Sequence, residues 1–375
     1  MTISAAGHAA LPGSAVAGAH LRFIDLLRAG AAQCIVWHHF ASYGPLADSV
    51  GTVFPGVLEW LHEHARLAVH AFLAVGGFLT VRHLQRVQPA DLPGFLRELG
   101  QRYVRLGGPY LVLLAIAIVV NALASQWLEH PVIAPPPTLS QVLAHVLLLQ
   151  DLTGHSALST GLWYIAIDYQ LFALALGIWW LAHAAVRGRA QTARQLGFAA
   201  CAALACLSVL WFNRNPELDA LAPYFFGSYF CGMVACWAIG RRAAWPMLAW
   251  VAVVVCAEWL AWRSRLLVAC LTGLALLLAA LWHRHPRGPA WRDWLVGYLG
   301  RTSFSLFLIH FPVYLLVSAW LARSPLTPGT AALGMLAAWG ASLLCADLLH
   351  RAVERPCLSF SRRLALPPPP DAAGC

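Results

Sequence analysis

Blocks of about 20 mostly apolar residues recur along this chain, each long enough at about 1.5 Å per residue to cross a bilayer. They fall at roughly 21–41, 66–84, 103–124, 162–185, 194–212, 221–240, 244–262, 265–283, 301–322 and 328–350. The pattern predicts an all-α fold: a polytopic membrane helix bundle of about ten transmembrane helices, occupying residues 21–357. Residues 1–20 are rich in Ala and Gly. They lack the cationic start and defined apolar core of a signal peptide, so they are expected to be a disordered tail. The Pro-rich end, 358–375, is expected to be disordered too. The longest connections are 42–65 and 125–160. The second contains the stiff stretch PVIAPPPT and an apolar patch, Val142–Leu149. That patch is too short to span and is expected to lie at the interface or pack back on the bundle.

The first apolar block is interrupted by charge. Arg28 stands eleven residues before His39. At about 100° per residue that is three turns plus about 20°, so the two share a face, about 16 Å apart along the axis. Asp25, three residues before Arg28, joins the stripe, while His38 is rotated about 100° away. Ionisable groups are costly inside a membrane and by default mark function there. A His held near a suitable partner is a general base at neutral pH.

Composition supports the membrane reading. The chain is 60% hydrophobic, only 11% charged, and has a mean hydropathy of +0.65. The net charge of +9 comes from Arg alone, since there is no Lys. With both termini inside, nineteen Arg flank inner ends and five flank outer ends. Arg28, inside the first span, completes the 25 cationic residues. That bias follows the positive-inside rule. It predicts cytoplasmic termini, and no basic, aromatic-laced stripe points to nucleic acid. The ten Cys form no C-x-x-C pair and lie mostly in apolar runs. They read as small hydrophobes, with neither a metal cluster nor a disulfide framework. Glu59, His62, Glu63 and His64 do not have H-E-x-x-H spacing, and no metal is expected there.

Further polar positions lie on other spans. Asp168, in GLWYIAIDYQLF, needs a partner at its depth; it can orient His39, pair with Arg28, or simply tie two helices together. Arg102 and Arg105, in QRYVRLGGPY, lie on one face at a span entrance, where two guanidinium forks suit phosphate oxygens. The Gly-Gly-Pro that follows opens the backbone to a ligand. AVHAFLAVGGFLT holds His70 and the pair Gly76-Gly77, whose small size permits close helix contact. Ser303, Ser305 and His310, in LGRTSFSLFLIHFP, are expected either to line an interior polar track or to hydrogen-bond neighbouring helices.

Taken in order, these segments resemble the membrane acyltransferase family (acyltransferase 3 type) of bacterial surface-polysaccharide O-acetyltransferases, over about residues 21–357. Asp25, Arg28 and His39 match its Asp-x-x-Arg-Ala start and following His. QRYVRLGGPY matches its Arg-x-x-Arg entrance, and GLWYIAIDYQLF its Trp-start fourth-span motif, with Asp168 for Glu. LGRTSFSLFLIHFP and AVERP, with Glu354 and Pro356, match the last two signatures. Gly76 stands where Ser is usual and His70 where an acid is common. The resemblance implies a ten-helix acyltransferase taking acetyl groups from cytoplasmic acetyl-CoA to a hydroxyl of an exopolysaccharide or lipopolysaccharide unit. The acceptor would be a lipid-linked or polymeric carbohydrate. The partners would be membrane lipids and polysaccharide-assembly proteins, with no metal and no nucleic acid. His39 would act as base or transient acyl carrier, oriented by Asp168 or Asp25. Arg28 would stabilise charge on the thioester oxygen, and Arg102 and Arg105 would hold the donor phosphates. No esterase-like domain is expected alongside, so the membrane part or a separate partner would complete transfer. Two rival readings are a transporter or flippase for a lipid-linked sugar, with its charged stripe as the substrate path, and a structural subunit of an assembly complex.

Overall fold

In a computed structural model the chain is described over residues 12–87, 91–186, 189–260, 264–281 and 289–364, with side chains from Arg22 onward. Arg187, Arg263, Arg284 and Arg287, used above for orientation, lie outside the described residues, as do 1–11 and 365–375 of the expected tails. The described residues form no strand. The helices are α1 (Pro12–Ser42), α2 (Gly44–Gly51), α3 (Pro55–His64), α4 (Ala68–Leu84), α5 (Leu92–Ala124), α6 (Leu139–Val146) and α7 (Leu162–Ala185). They continue as α8 (Ala190–Leu210), α9 (Ala222–Arg241), α10 (Trp245–Leu260), α11 (Ser264–Leu281), α12 (Ala290–Leu321), α13 (Pro328–Leu349) and α14 (Arg355–Arg363). Helix α1 begins inside the expected 1–20 tail, and residues 358–363 of the expected C-terminal tail are helical in α14.

Eight helical stretches are long and apolar enough to cross a membrane: α3–α4, α5, α7, α8, α9, α11, α12 and α13–α14. Helix α10, at 16 residues, is a shorter apolar helix. Helix α1 has the length, but Asp25, Arg28, His38 and His39 lower its hydropathy. These ten stretches correspond to the ten apolar blocks. Helix α9 is the axle of the bundle, with every side from Tyr224 to Ala238 buried. It packs most closely on α4, and α12 packs on α1 and α13. The α4–α9 approach rests on small residues: a Cβ on Gly77 would run into the Tyr229 carbonyl, and one on Gly232 into that of Ala74. Membrane helices associate through such backbone contact because lipid supplies no hydrophobic drive.

The long connections are structured. Pro45 and Pro55 open α2 and α3, where a missing N–H is harmless. The Val142–Leu149 patch packs back on the bundle. Tyr103 donates to the Val146 carbonyl (2.6 Å) and Gln170 to that of Leu148 (2.9 Å), while Leu148 is fully buried. The returning arm is held by Asn121, which donates to the Leu158 carbonyl and accepts from Ala134 N–H. Between α13 and α14, His350–Glu354 form a π turn. Pro356 cannot donate to the Ala352 carbonyl, which favours the wider turn.

Candidate functional site

Helices α1, α4, α5, α7, α12 and the π turn enclose a cavity of about 90 Å³. Its walls include Arg28, Arg102, Arg105, Asp168, Gly76 and Glu354. Four of the six expected site residues therefore meet, although they come from three helices far apart in sequence. Arg102 donates to Asp168 Oδ2 at 2.6 Å and lies 5.0 Å over the Phe172 ring. Asp168 is buried and Arg102 partly so, and Arg102 Nε has no hydrogen-bond partner. Glu354 is held at Oε2 by Ser305 (2.7 Å) and His350 (2.9 Å). Among the described residues no carboxylate lies within ion-pair distance of Arg28 or Arg105. The cavity thus keeps two uncommitted guanidinium groups, and Arg105 remains exposed. Uncommitted guanidinium in a confined space attracts an anion strongly.

Three details correct the sequence reading. Asp168 does not reach His39 or Arg28; its carboxylate is engaged by Arg102. Asp25 sits at the α1–α12 crossing against Gly300, fourteen residues and about 21 Å of rise from His39, so it cannot orient that ring. Gly107 and Gly108 do not open the backbone to a ligand: Gly107 packs under the Tyr103 ring and Gly108 against Cys357 of α14. Of the Gly pair on α4, only Gly77 serves helix contact. Gly76 faces Asp168 and the Tyr229 ring, and a Cβ there would lie 3.1 Å from Asp168 Oδ1.

His39 is fixed by a residue on α12. Its Nδ1 lies 2.7 Å from His310 Nε2, and the two rings are parallel within 3°, meeting edge to edge through that bond. His310 Nδ1 lies 3.0 Å from the Leu306 carbonyl oxygen. A carbonyl only accepts, so for two neutral rings His310 Nδ1 carries its proton and Nε2 accepts from His39 Nδ1–H. The remaining lone pair is on His39 Nε2, the atom of this ring able to accept a proton or attack a carbonyl carbon. His38 points elsewhere, towards the Leu61 carbonyl and Ser42, as its rotation about α1 predicted. The polar track on α12 divides: His310 serves His39, Ser305 serves Glu354, and Ser303 bonds its own helix at Gly300.

His39 does not line the arginine cavity. Phe72, Tyr164 and Phe307 form an aromatic cluster with ring centroids 5.2–5.9 Å apart, and all three line that cavity. Phe307 reaches onward to His310, at 6.3 Å. Sequence reasoning noted His310 and Glu354 without giving them roles; the signal was a polar residue inside an apolar span for His310 and the AVERP segment for Glu354.

The family model for the acyltransferase 3 type, described as an acyltransferase domain, matches residues 21–351. No curated protein and no solved structure matches the chain.

Proposed function

Because this chain belongs to the acyltransferase 3 family, we propose that it is an integral membrane O-acyltransferase carrying an acetyl group from cytoplasmic acetyl-CoA to a carbohydrate hydroxyl. The observation that carries this reading is the arginine cavity with two uncommitted guanidinium groups, set on the same helix face as an imidazole whose Nε2 is free. Arg105 and Arg28 meet the negative charge of the donor, and Arg102 is held in reserve by Asp168. His39 Nε2 takes the proton of the attacking hydroxyl. The oxygen bonds the acyl carbon, the carbon–sulfur bond breaks, and the departing thiolate recovers that proton from His39. The termini are cytoplasmic, and the acceptor is an exopolysaccharide or lipopolysaccharide unit, lipid-linked or polymeric. The positive-inside bias and the family resemblance support these assignments.

Purified protein in nanodiscs, supplied with radiolabelled acetyl-CoA, tests the reading. Label should leave CoA, as acetate or on added sugar, and His39→Ala should abolish this while still binding CoA. Turnover unchanged in His39→Ala would overturn it.

A further inference from the structure

A second cavity, of about 320 Å³, shares no lining residue with the arginine cavity and reaches His39 through the rings of Tyr43 and Phe311. Its lining includes Tyr43, Asp48, His130, Ser159, Thr160 and Phe311, and no Arg. Asp48 and His130 meet at 3.3 Å, with Asp48 largely exposed. The hydroxyls of Ser159 and Thr160 are buried and have no hydrogen-bond partner. A buried hydroxyl left unpaired is costly, so the wall is built to be completed by something polar. Two rings carry this wall to the imidazole: Tyr43 and Phe311 lie 5.9 and 6.1 Å from the His39 ring. The backbone does the same. Gly161, next to Thr160, adopts a positive φ of 84°, and a Cβ there would sit 3.9 Å from His39 Cε1.

We propose that this cavity is the acceptor site and that it takes a neutral polyhydroxylated ring, a sugar. The inference rests on the acyltransferase reading above. Charge separates the two cavities. The first offers guanidinium groups to an anion; the second offers a carboxylate, an imidazole, two orphan hydroxyls and two aromatic faces. Such a set suits alternating hydroxyl and C–H surfaces, and it offers a phosphate-rich donor no guanidinium. A sugar hydroxyl seated between Thr160 and Tyr43 lies next to the imidazole that must take its proton.

Two measurements test this. In the first, Ala157→Cys, a small cavity-lining position, is labelled with a membrane-impermeant maleimide in nanodiscs. Methyl β-glucoside at millimolar concentration should slow labelling severalfold, and CoA should not. Octyl β-glucoside distinguishes a lipid-linked source: protection at lower concentration shows that a tail adds affinity. Protection by CoA and not by glucoside would overturn the assignment. This readout needs no turnover, so it stands apart from any failure of the acyltransferase reading. In the second, Thr160→Trp fills the cavity, and Thr160→Ser retains the hydroxyl. The Trp variant should raise the KM for methyl β-glucoside at least tenfold with CoA affinity within twofold of the parent. Thr160→Ser should stay near the parent KM. Loss of CoA affinity with no change in KM would overturn the proposal.

Discussion

Asp168→Asn separates the stability of the arginine cavity from its ligand affinity. The parent carboxylate, itself buried, holds the largely buried Arg102 side chain at 2.6 Å. Removing one partner of such a pair leaves an uncompensated charge and costs about 3–5 kcal/mol. Coulomb's law agrees in order: two unit charges at about 4 Å and an effective dielectric of about 20 interact by about 4 kcal/mol. Without ligand the variant should therefore be less stable, because three guanidinium groups face the cavity and Glu354 is the remaining carboxylate. An anionic ligand should feel the opposite effect. Removing a like charge at about 7 Å gains it about 2 kcal/mol at the same dielectric, roughly thirtyfold in affinity. The assay is thermal unfolding in detergent with and without CoA, together with calorimetric CoA binding. The variant should unfold earlier alone and be stabilised more by CoA than the parent. Parent-like stability without ligand would show that the pair carries no weight. Weaker CoA binding would show that the carboxylate belongs to the donor site rather than competing with it.

His39→Ala should abolish acetyl transfer at normal expression while His38→Ala retains most of it, as assayed on purified protein; the reverse order would refute the assignment of faces on α1. His310→Leu removes the acceptor for His39 Nδ1–H, a loss of about 1–3 kcal/mol, so turnover should fall about 5- to 150-fold with donor affinity unchanged. His310→Gln, whose side-chain oxygen accepts that bond, should recover most of the rate; equal damage from both would reduce His310 to a packing residue. Gly77→Ala drives a methyl into the Tyr229 backbone and should cost about 1–3 kcal/mol or more, seen as lost monodisperse protein. Gly76→Ser meets only side chains and should fold, altering CoA affinity instead. Arg105→Lys keeps the charge and loses the fork, so donor affinity should fall severalfold, measured by CoA titration.

The helices were legible because a bilayer demands about 20 apolar residues in a row, and nothing else in the chain imitates that. The return of Val142–Leu149 was legible for the complementary reason: apolar and too short. Within a helix, geometry was equally readable, and the separation of His38 from His39 followed from 100° of rotation. Pairing between helices was not. Arg102 chose Asp168 over the other carboxylates, and His39 chose His310, 271 positions away. Periodicity fixes the face a residue occupies on its own helix but not the helix that will stand opposite. Gly76 and Gly77 show the same limit, since adjacent identical residues serve a cavity and a backbone contact. The π turn before Pro356 was written in the sequence only as a missing N–H, and its effect, Glu354 at the cavity wall, needed the fold to be seen.

The aromatic cluster between the arginine cavity and the imidazole pair has a consequence for the energetics of the cell. If the two cavities open to opposite faces, a water-filled passage joining them would be a leak. Each proton crossing would dissipate about 2.3 kcal/mol for every 100 mV of membrane potential. Phe72, Tyr164 and Phe307 insulate that passage with ring carbon. The imidazole pair does not bridge the gap either, because its hydrogen bonds end at the Leu306 carbonyl, which has no proton to pass on. In the transfer proposed above, His39 takes one proton from the acceptor hydroxyl and hands it to the departing thiolate, so a proton moves only with an acyl group. On that proposal the pair works as a metered valve rather than a wire, and the gradient is not drained between turnovers.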